Sequence, residues 1–282
     1  MSGYANPDAL VETDFVAERL DDPSIKIVEV DEDTSAFEVG HIPGAVSIDW
    51  TNELRSAPRR DFVSSAELAS LLSSKGISDD DTIVLYGGNN NWFAAYAYWL
   101  CRYRGIDNVK LVNGGRMKWE LEGRPMTDET TSVSSGRFSR RSDRPELRAC
   151  RDDIIAMATG MSGTMVDVRS PAEFTGEVMA PPHLPQEQPY VAGHIPGAKN
   201  IPWSQAANED GTFKSADELR ALYEGSGVRQ NGEIVAYCRI GERSSHTWFV
   251  LYELLGFSNV KNYDGSWTEY GSLVDVPVAI GD

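Results

Sequence analysis

The sequence predicts an α/β protein of two homologous domains, each a parallel sheet with helices on both faces. Three observations carry this. First, the chain contains itself twice: "GHIPGA" stands at 40–45 and again at 193–198, and residues 83–119 find their echo 151 positions later without a gap. Second, each copy alternates short apolar runs with helical patterns, the order that gives parallel strands covered by helices. Third, the stretch between the copies, "PMTDETTSVSSGRFSRRSDRPELR" (125–148), is polar, Ser-rich and charged, as linkers are. The repeat sets a first domain at 1–124, a linker at 125–150 and a second domain at 151–282.

Each half has the same coarse order. An apolar strand comes early, "IKIVEVD" (25–31) and "TMVDVR" (164–169), then the turn-like "GHIPGA" and a short strand. A second strand, "TIVLY" or "EIVAY", leads through a loop into an amphipathic helix. In the second half that helix shows Trp248, Leu251, Leu254 and Leu255 at helical spacing and stops at Gly256, a usual C-cap. A further strand follows at "VKLV" and "VKNY". In such sheets ligands bind beyond the carboxyl ends of the strands, and Cys238 stands at one of these ends.

Composition narrows the function. With 41 % hydrophobic and 24 % charged residues the chain reads as globular, and no run is long and apolar enough to span a membrane. The start, "MSGYANPDALVETDF", lacks the basic and apolar regions of a signal peptide, so a cytoplasmic location is expected. Cys101, Cys150 and Cys238 form no CxxC, and the four histidines show no metal spacing, so neither a disulfide framework nor a metal site is expected. A net charge of −17 argues against nucleic acid as a partner. Screening confines that repulsion to about 8 Å at physiological salt, so a local cationic pocket can still hold an anion.

The loop "CRIGERSS" (238–245) carries the chemistry. It lies over a helix N-terminus, where backbone N–H groups lack helical partners and can point at an anion, and Gly241 permits the sharp curvature. The helix end together with Arg239 and Arg243 is expected to lower the thiol from about 8.5 into roughly 3.5–7.5. Cys238 should then be largely thiolate at neutral pH with no general base, attacking an anionic substrate through sulfur. Arg239 and Arg243 read as substrate and persulfide contacts, Arg243 alternatively as a brace of the loop. Cys238 to Arg243 is C-x4-R, one residue shorter than the C-x5-R ring of cysteine phosphatases, and fits around a single sulfur on the cysteine. The 151-residue offset maps Cys238 to Gly87, Arg239 to Gly88 and Arg243 to Trp92, so the first copy lacks nucleophile and charges alike. His41 and His194 occur in both copies and read as structural turn residues; His246 and Cys101 read as packing residues. Cys150 borders the linker without an evident partner.

The loop, the paired "GHIPGA" segments, the "DGSW" at 264–267, "DGTFKS" (210–215) and "HLPQEQ" (183–188) together resemble the tandem-domain rhodaneses, which are thiosulfate sulfurtransferases. The resemblance implies two rhodanese-like domains, the first catalytically inactive and the second catalytic. It implies Cys238 as the persulfide-forming residue, with the persulfide cradled by the N–H groups of Ile240, Gly241, Glu242, Arg243 and Ser244. It also adds Arg169, the arginine of "DVR", near the site, as an anion contact or a structural one. Thiosulfate is the implied donor, cyanide or a thiol the implied acceptor, and no metal or organic cofactor is implied. Many thiosulfate-using relatives carry lysine two residues after the cysteine; here it is Ile240, so anion binding leans on Arg239. Mercaptopyruvate-using relatives usually have glycine directly after the cysteine, and Arg239 pulls against that reading. The alternatives are a 3-mercaptopyruvate sulfurtransferase, a non-catalytic persulfide carrier or binding module, and, disfavoured by loop length, a phosphatase-like hydrolase.

Overall fold

A computed structural model of the chain describes residues 3–56, 60–160, 162–181 and 187–281. Most of "HLPQEQ" lies outside the described residues. The chain divides into two compact units. One comprises residues 8–144 with a short return at 209–212; the other comprises the rest of the second half together with residues 3–7.

The first unit is built on five parallel strands, in spatial order Leu10–Val11, Val109–Val112, Thr82–Tyr86, Ile25–Asp31 and Val46–Asp49. The second has four, in the order Val260–Tyr263, Ile234–Tyr237, Thr164–Asp167 and Lys199–Asn200, again all parallel. The two orders coincide once the additional edge strand of the first unit is set aside. The central strands bury nearly every residue, as β-branched runs sandwiched between helices must. Among the described residues no helix is long and apolar enough to cross a membrane.

The two "GHIPGA" segments are anchored in the same way. His41 stacks on Phe37 with ring centroids 3.7 Å apart and its Nδ1 meets Phe37 O; His194 does the same with Phe174, at 3.6 Å. The next residue donates its N–H to a strand tyrosine, Ile42 to Tyr86 Oη and Ile195 to Tyr237 Oη. The imidazoles are thus part of a turn, as their presence in both copies suggests.

The helix after Cys238 departs from the amphipathic expectation. Every residue of Glu242–Phe249 is buried, and the helix continues as a π-turn over Val250–Leu254 before Gly256, at φ 72°, ends it. The physical reason is that Glu242, Arg243, Ser244 and Ser245 have polar partners inside the protein, while the His246 ring is packed against Phe213 and Trp203.

Candidate active site

Tyr237 ends its strand and the chain turns at once. Gly241 takes φ 105° as the residue before the helix, and a Cβ there would lie 2.9 Å from Asp264 Cα, so only glycine closes the loop this tightly. The turn brings the Gly241 N–H to 3.2 Å from Cys238 Sγ, and the Ser244 N–H also faces the sulfur. Cys238 is fully buried. Its own N–H donates to Ser266 Oγ at 3.0 Å, and Ser266 Oγ donates to Tyr263 O. Asn262 braces the helix start, accepting from Ser244 Oγ at 2.6 Å and donating to Ser245 Oγ at 2.9 Å.

The charges are arranged differently from the sequence reading. Arg243 meets Glu173 edge-on through two bonds of 3.0 and 3.1 Å, and its Nε lies 3.3 Å from Glu242 Oε1. Arg169 turns Nε and Nη2 onto Asp167 and also donates to Gly193 O. Arg239 donates Nε to Glu187 O at 2.8 Å and lies within electrostatic reach of Cys238, Glu242 and Glu173. The Cys238 thiol stands 3.4 Å from Glu242 Oε2.

This corrects the expectation of a resting thiolate. Burial, then the Glu242 carboxylate, push the Cys238 thiol above its ordinary value, against the opposing pull of Arg243 and of the Ser244 and Gly241 amides. The two loop arginines do not act as unmatched charges, because Glu173 and Glu242 answer them. Burial alone would raise Glu173, but Arg243 overrides it and holds that carboxyl below its usual range.

Cys238, Arg239, Arg243 and Arg169, with the loop residues Ile240, Gly241, Glu242 and Ser244, are brought together in one buried cluster. Glu173, Ser266 and Asn262, and the side chain of Glu242, were not singled out in the sequence. Ser266 lies in "DGSW", which flagged it. Glu173 belongs to Ser170-x-x-Glu173, a capping box; that pattern explains its bond to Ser170 and gives no hint of Arg243. His246 packs on Phe213 at 4.5 Å and edge-on to Trp203, and burial pushes its pKa down to about 3. Cys101 is buried in the first unit's helix, its thiol pushed up by burial to about 12. Cys150 is exposed.

A buried cysteine at a strand end, with the Gly241 and Ser244 N–H groups on its sulfur, heads a buried helix in one of two like α/β halves. The rhodanese-like domain family matches residues 12–122 and again 152–273, and the chain belongs to that family. It is 57 % identical over 277 residues, 98 % of this chain and 99 % of the relative, to a protein of Mycolicibacterium smegmatis provisionally named thiosulfate sulfurtransferase. It is 54 % identical to the sulfur carrier protein TtuD of Thermus thermophilus, over 99 % of both chains. Among solved structures it resembles SseA of Escherichia coli, a 3-mercaptopyruvate sulfotransferase by its printed name, with a TM-score of 0.77 and 27 % identity over 92 % of this chain and 98 % of that one.

Proposed function

We propose that this rhodanese-family sulfurtransferase moves the outer sulfur of thiosulfate to cyanide or a thiol through a persulfide on Cys238. The observation that carries the reading is the Cys238 sulfur at the head of a buried helix, with the Gly241 N–H on it at 3.2 Å. In the loading step a bond forms between Cys238 Sγ and the outer sulfur of thiosulfate. The sulfur–sulfur bond of the donor breaks, and its electron pair leaves on sulfite. The persulfide's outer sulfur then lies among the loop amides until an acceptor attacks it. Arg239 contacts the donor's oxygens; Arg243 and Arg169, committed to Glu173 and Asp167, hold the loop and the strand end. The intermediate is covalent, so turnover is ping-pong. The first half, with Gly87 in place of the nucleophile, takes no part in the chemistry.

Incubation with thiosulfate adds one sulfur, about 32 mass units, to the peptide holding Cys238, as a covalent nucleophile requires, and Cys238→Ser loses both adduct and turnover. An adduct on Cys101 or Cys150 instead refutes the assignment. The similarity to TtuD favours a second reading, a carrier that loads sulfur and hands it to a protein; such a carrier takes the adduct yet shows negligible thiocyanate formation. The similarity to SseA makes mercaptopyruvate the donor to compare in the same assay.

A further inference from the structure

Among the described residues the buried charges around Cys238 come in equal numbers. Arg169, Arg239 and Arg243 are the cations; Asp167, Glu173 and Glu242 are the anions; none is more than 3 % exposed. Asp167 and Arg169 pair at the end of the Thr164–Asp167 strand, and Glu173 comes from the neighbouring short helix to Arg243. From the side of the following strand and helix the site meets Ser266, which does not titrate here, and Asp264, which is tied to Arg148. His246 is neutral through burial. With the thiol protonated the set sums to zero.

A persulfide bears a negative charge on its outer sulfur. If the thiol proton simply left for solvent, the loaded site would hold one unmatched charge in a dry interior, which is costly. A proton acceptor already stands at the sulfur: Glu242 Oε2, 3.4 Å from Sγ, with Oε1 steadied by Arg243. We propose that Glu242 takes the Cys238 proton as the persulfide forms and returns it as the persulfide discharges, so that the buried site stays neutral throughout the cycle. The assignment rests on the persulfide reading above.

The steps balance. On loading, the Cys238 thiol, the Glu242 carboxylate and thiosulfate give the Cys238 persulfide anion, the Glu242 carboxylic acid and sulfite. On discharge, persulfide anion, carboxylic acid and cyanide give thiol, carboxylate and thiocyanate. Neither step exchanges a proton with water. Glu242 thus touches the reacting sulfur and acts as its catalytic acid and base.

The test counts protons. The full-length protein is loaded without acceptor, in weak buffer above the range where sulfite binds a proton and below the raised thiol range. Proton release is read with an indicator dye and persulfide by mass on the Cys238 peptide. Loading from thiosulfate releases no proton in the wild type, and Glu242→Gln releases one proton more per persulfide than the wild type, whether thiosulfate or mercaptopyruvate is the donor. The same variant lowers kcat/KM at neutral pH by roughly a hundredfold or more. A wild type that releases one proton per persulfide overturns the assignment, even if the variant fails to fold. Equal release by both proteins, with sulfur on Cys238, overturns it while leaving the persulfide reading intact. If neither donor adds sulfur, both fall.

Discussion

Gly87 and Cys238 occupy the same place in two copies of one scaffold. Gly87 O accepts from Arg116 N, and Cys238 O accepts from Trp267 N, each partner 151 residues from its counterpart. Beyond that shared bond the two loops part. In the first half Asn89, Asn90 and Asn91 take φ of 45°, 54° and 63°, a left-handed turn that asparagine tolerates better than most residues. Asn91 then folds its amide back, accepting from Gly87 N at 2.9 Å and donating to Val112 O at 2.7 Å. In the second half the corresponding N–H goes to Ser266, and the next free amides face a sulfur. The first loop satisfies its donors with side-chain oxygens, Gly87 N with Asn91 and Gly88 N with Asp31; the second turns its amides onto the cysteine sulfur. The difference between a filler and a site is therefore where the amides point, and the nucleophile is one part of that.

The comparison is put under most strain by grafting. A Cβ at Gly87 would lie 2.5 Å from Val30 O, against backbone. Gly87→Cys is expected to gain no persulfide from thiosulfate in a Cys238→Ser background, and to destabilise the first half. Sulfur found on residue 87 by mass would show that the scaffold alone suffices.

Next is Arg243, whose counterpart Trp92 needs no counter-ion. Arg243→Ala leaves Glu173 and Glu242 buried without their cation, a loss of about 3–5 kcal/mol for a broken buried pair. Chemical denaturation should show that loss in the transition of the second half, and a cost under about 1 kcal/mol, the level of an exposed pair, would mean that the bonds to Glu173 contribute little.

Arg239, matched by Gly88, should act on substrate choice. Arg239→Gly removes a charge-assisted contact contributing roughly 1.5–3 kcal/mol, so kcat/KM for thiosulfate falls about ten- to a hundredfold. Mercaptopyruvate, with its single carboxylate further from the transferred sulfur, should lose less. The ratio of the two donors measured with one acceptor decides it; equal losses would make Arg239 a support of the loop.

A last effect, spread over several pH units, opposes the halves in acid. His246 has a folded pKa of about 3 against an ordinary 6.5, so the unfolded chain takes the proton first and stability falls as pH drops from 6.5 toward 3. Its counterpart Ala95 cannot titrate. Asp31 in the first half is raised by burial from 3.8 to about 6, so the folded chain takes that proton first and stability rises as pH drops through 6 toward 3.8. Each contributes a slope of up to about 1.4 kcal/mol per pH unit within its window. His246→Phe should flatten the acid loss and Asp31→Asn should remove the acid gain, read from thermal unfolding at several pH values. Parallel curves for wild type and both variants would refute the opposition.

Much of this was legible in the sequence. The duplicated segments give the two sheets with one strand order, and a strand followed by C-x4-R and a helical pattern places Cys238 at a strand end over a helix. The charge state was not legible. Counting Arg239 and Arg243 as cations beside a thiol is sound only if nothing answers them, and Glu173 answers from 70 positions away. Glu242 was in view, but at the first turn of a helix its carboxylate could as well have faced water; the complete burial of that helix turns it onto the sulfur. Long-range pairing and the depth of a helix are properties of packing, which a local pattern does not encode.

Residues 3–7 tell the folding chain something else. Ala5 N and Asn6 N bond to Leu254 O and Glu253 O at the end of the π-turn, Asn6 Nδ2 reaches Glu253 Oε2, and Tyr4 Oη donates to Lys214 O. Their partners stand some 210 to 250 positions further along the chain. The first half is consequently spliced, apart from its return at 209–212, into the contact map of the second. Closing so long a loop is slow more than it is costly, since its entropy grows only logarithmically with length. The end of the helix that follows the Cys238 loop is thereby tied to residues that precede the whole first half in the chain.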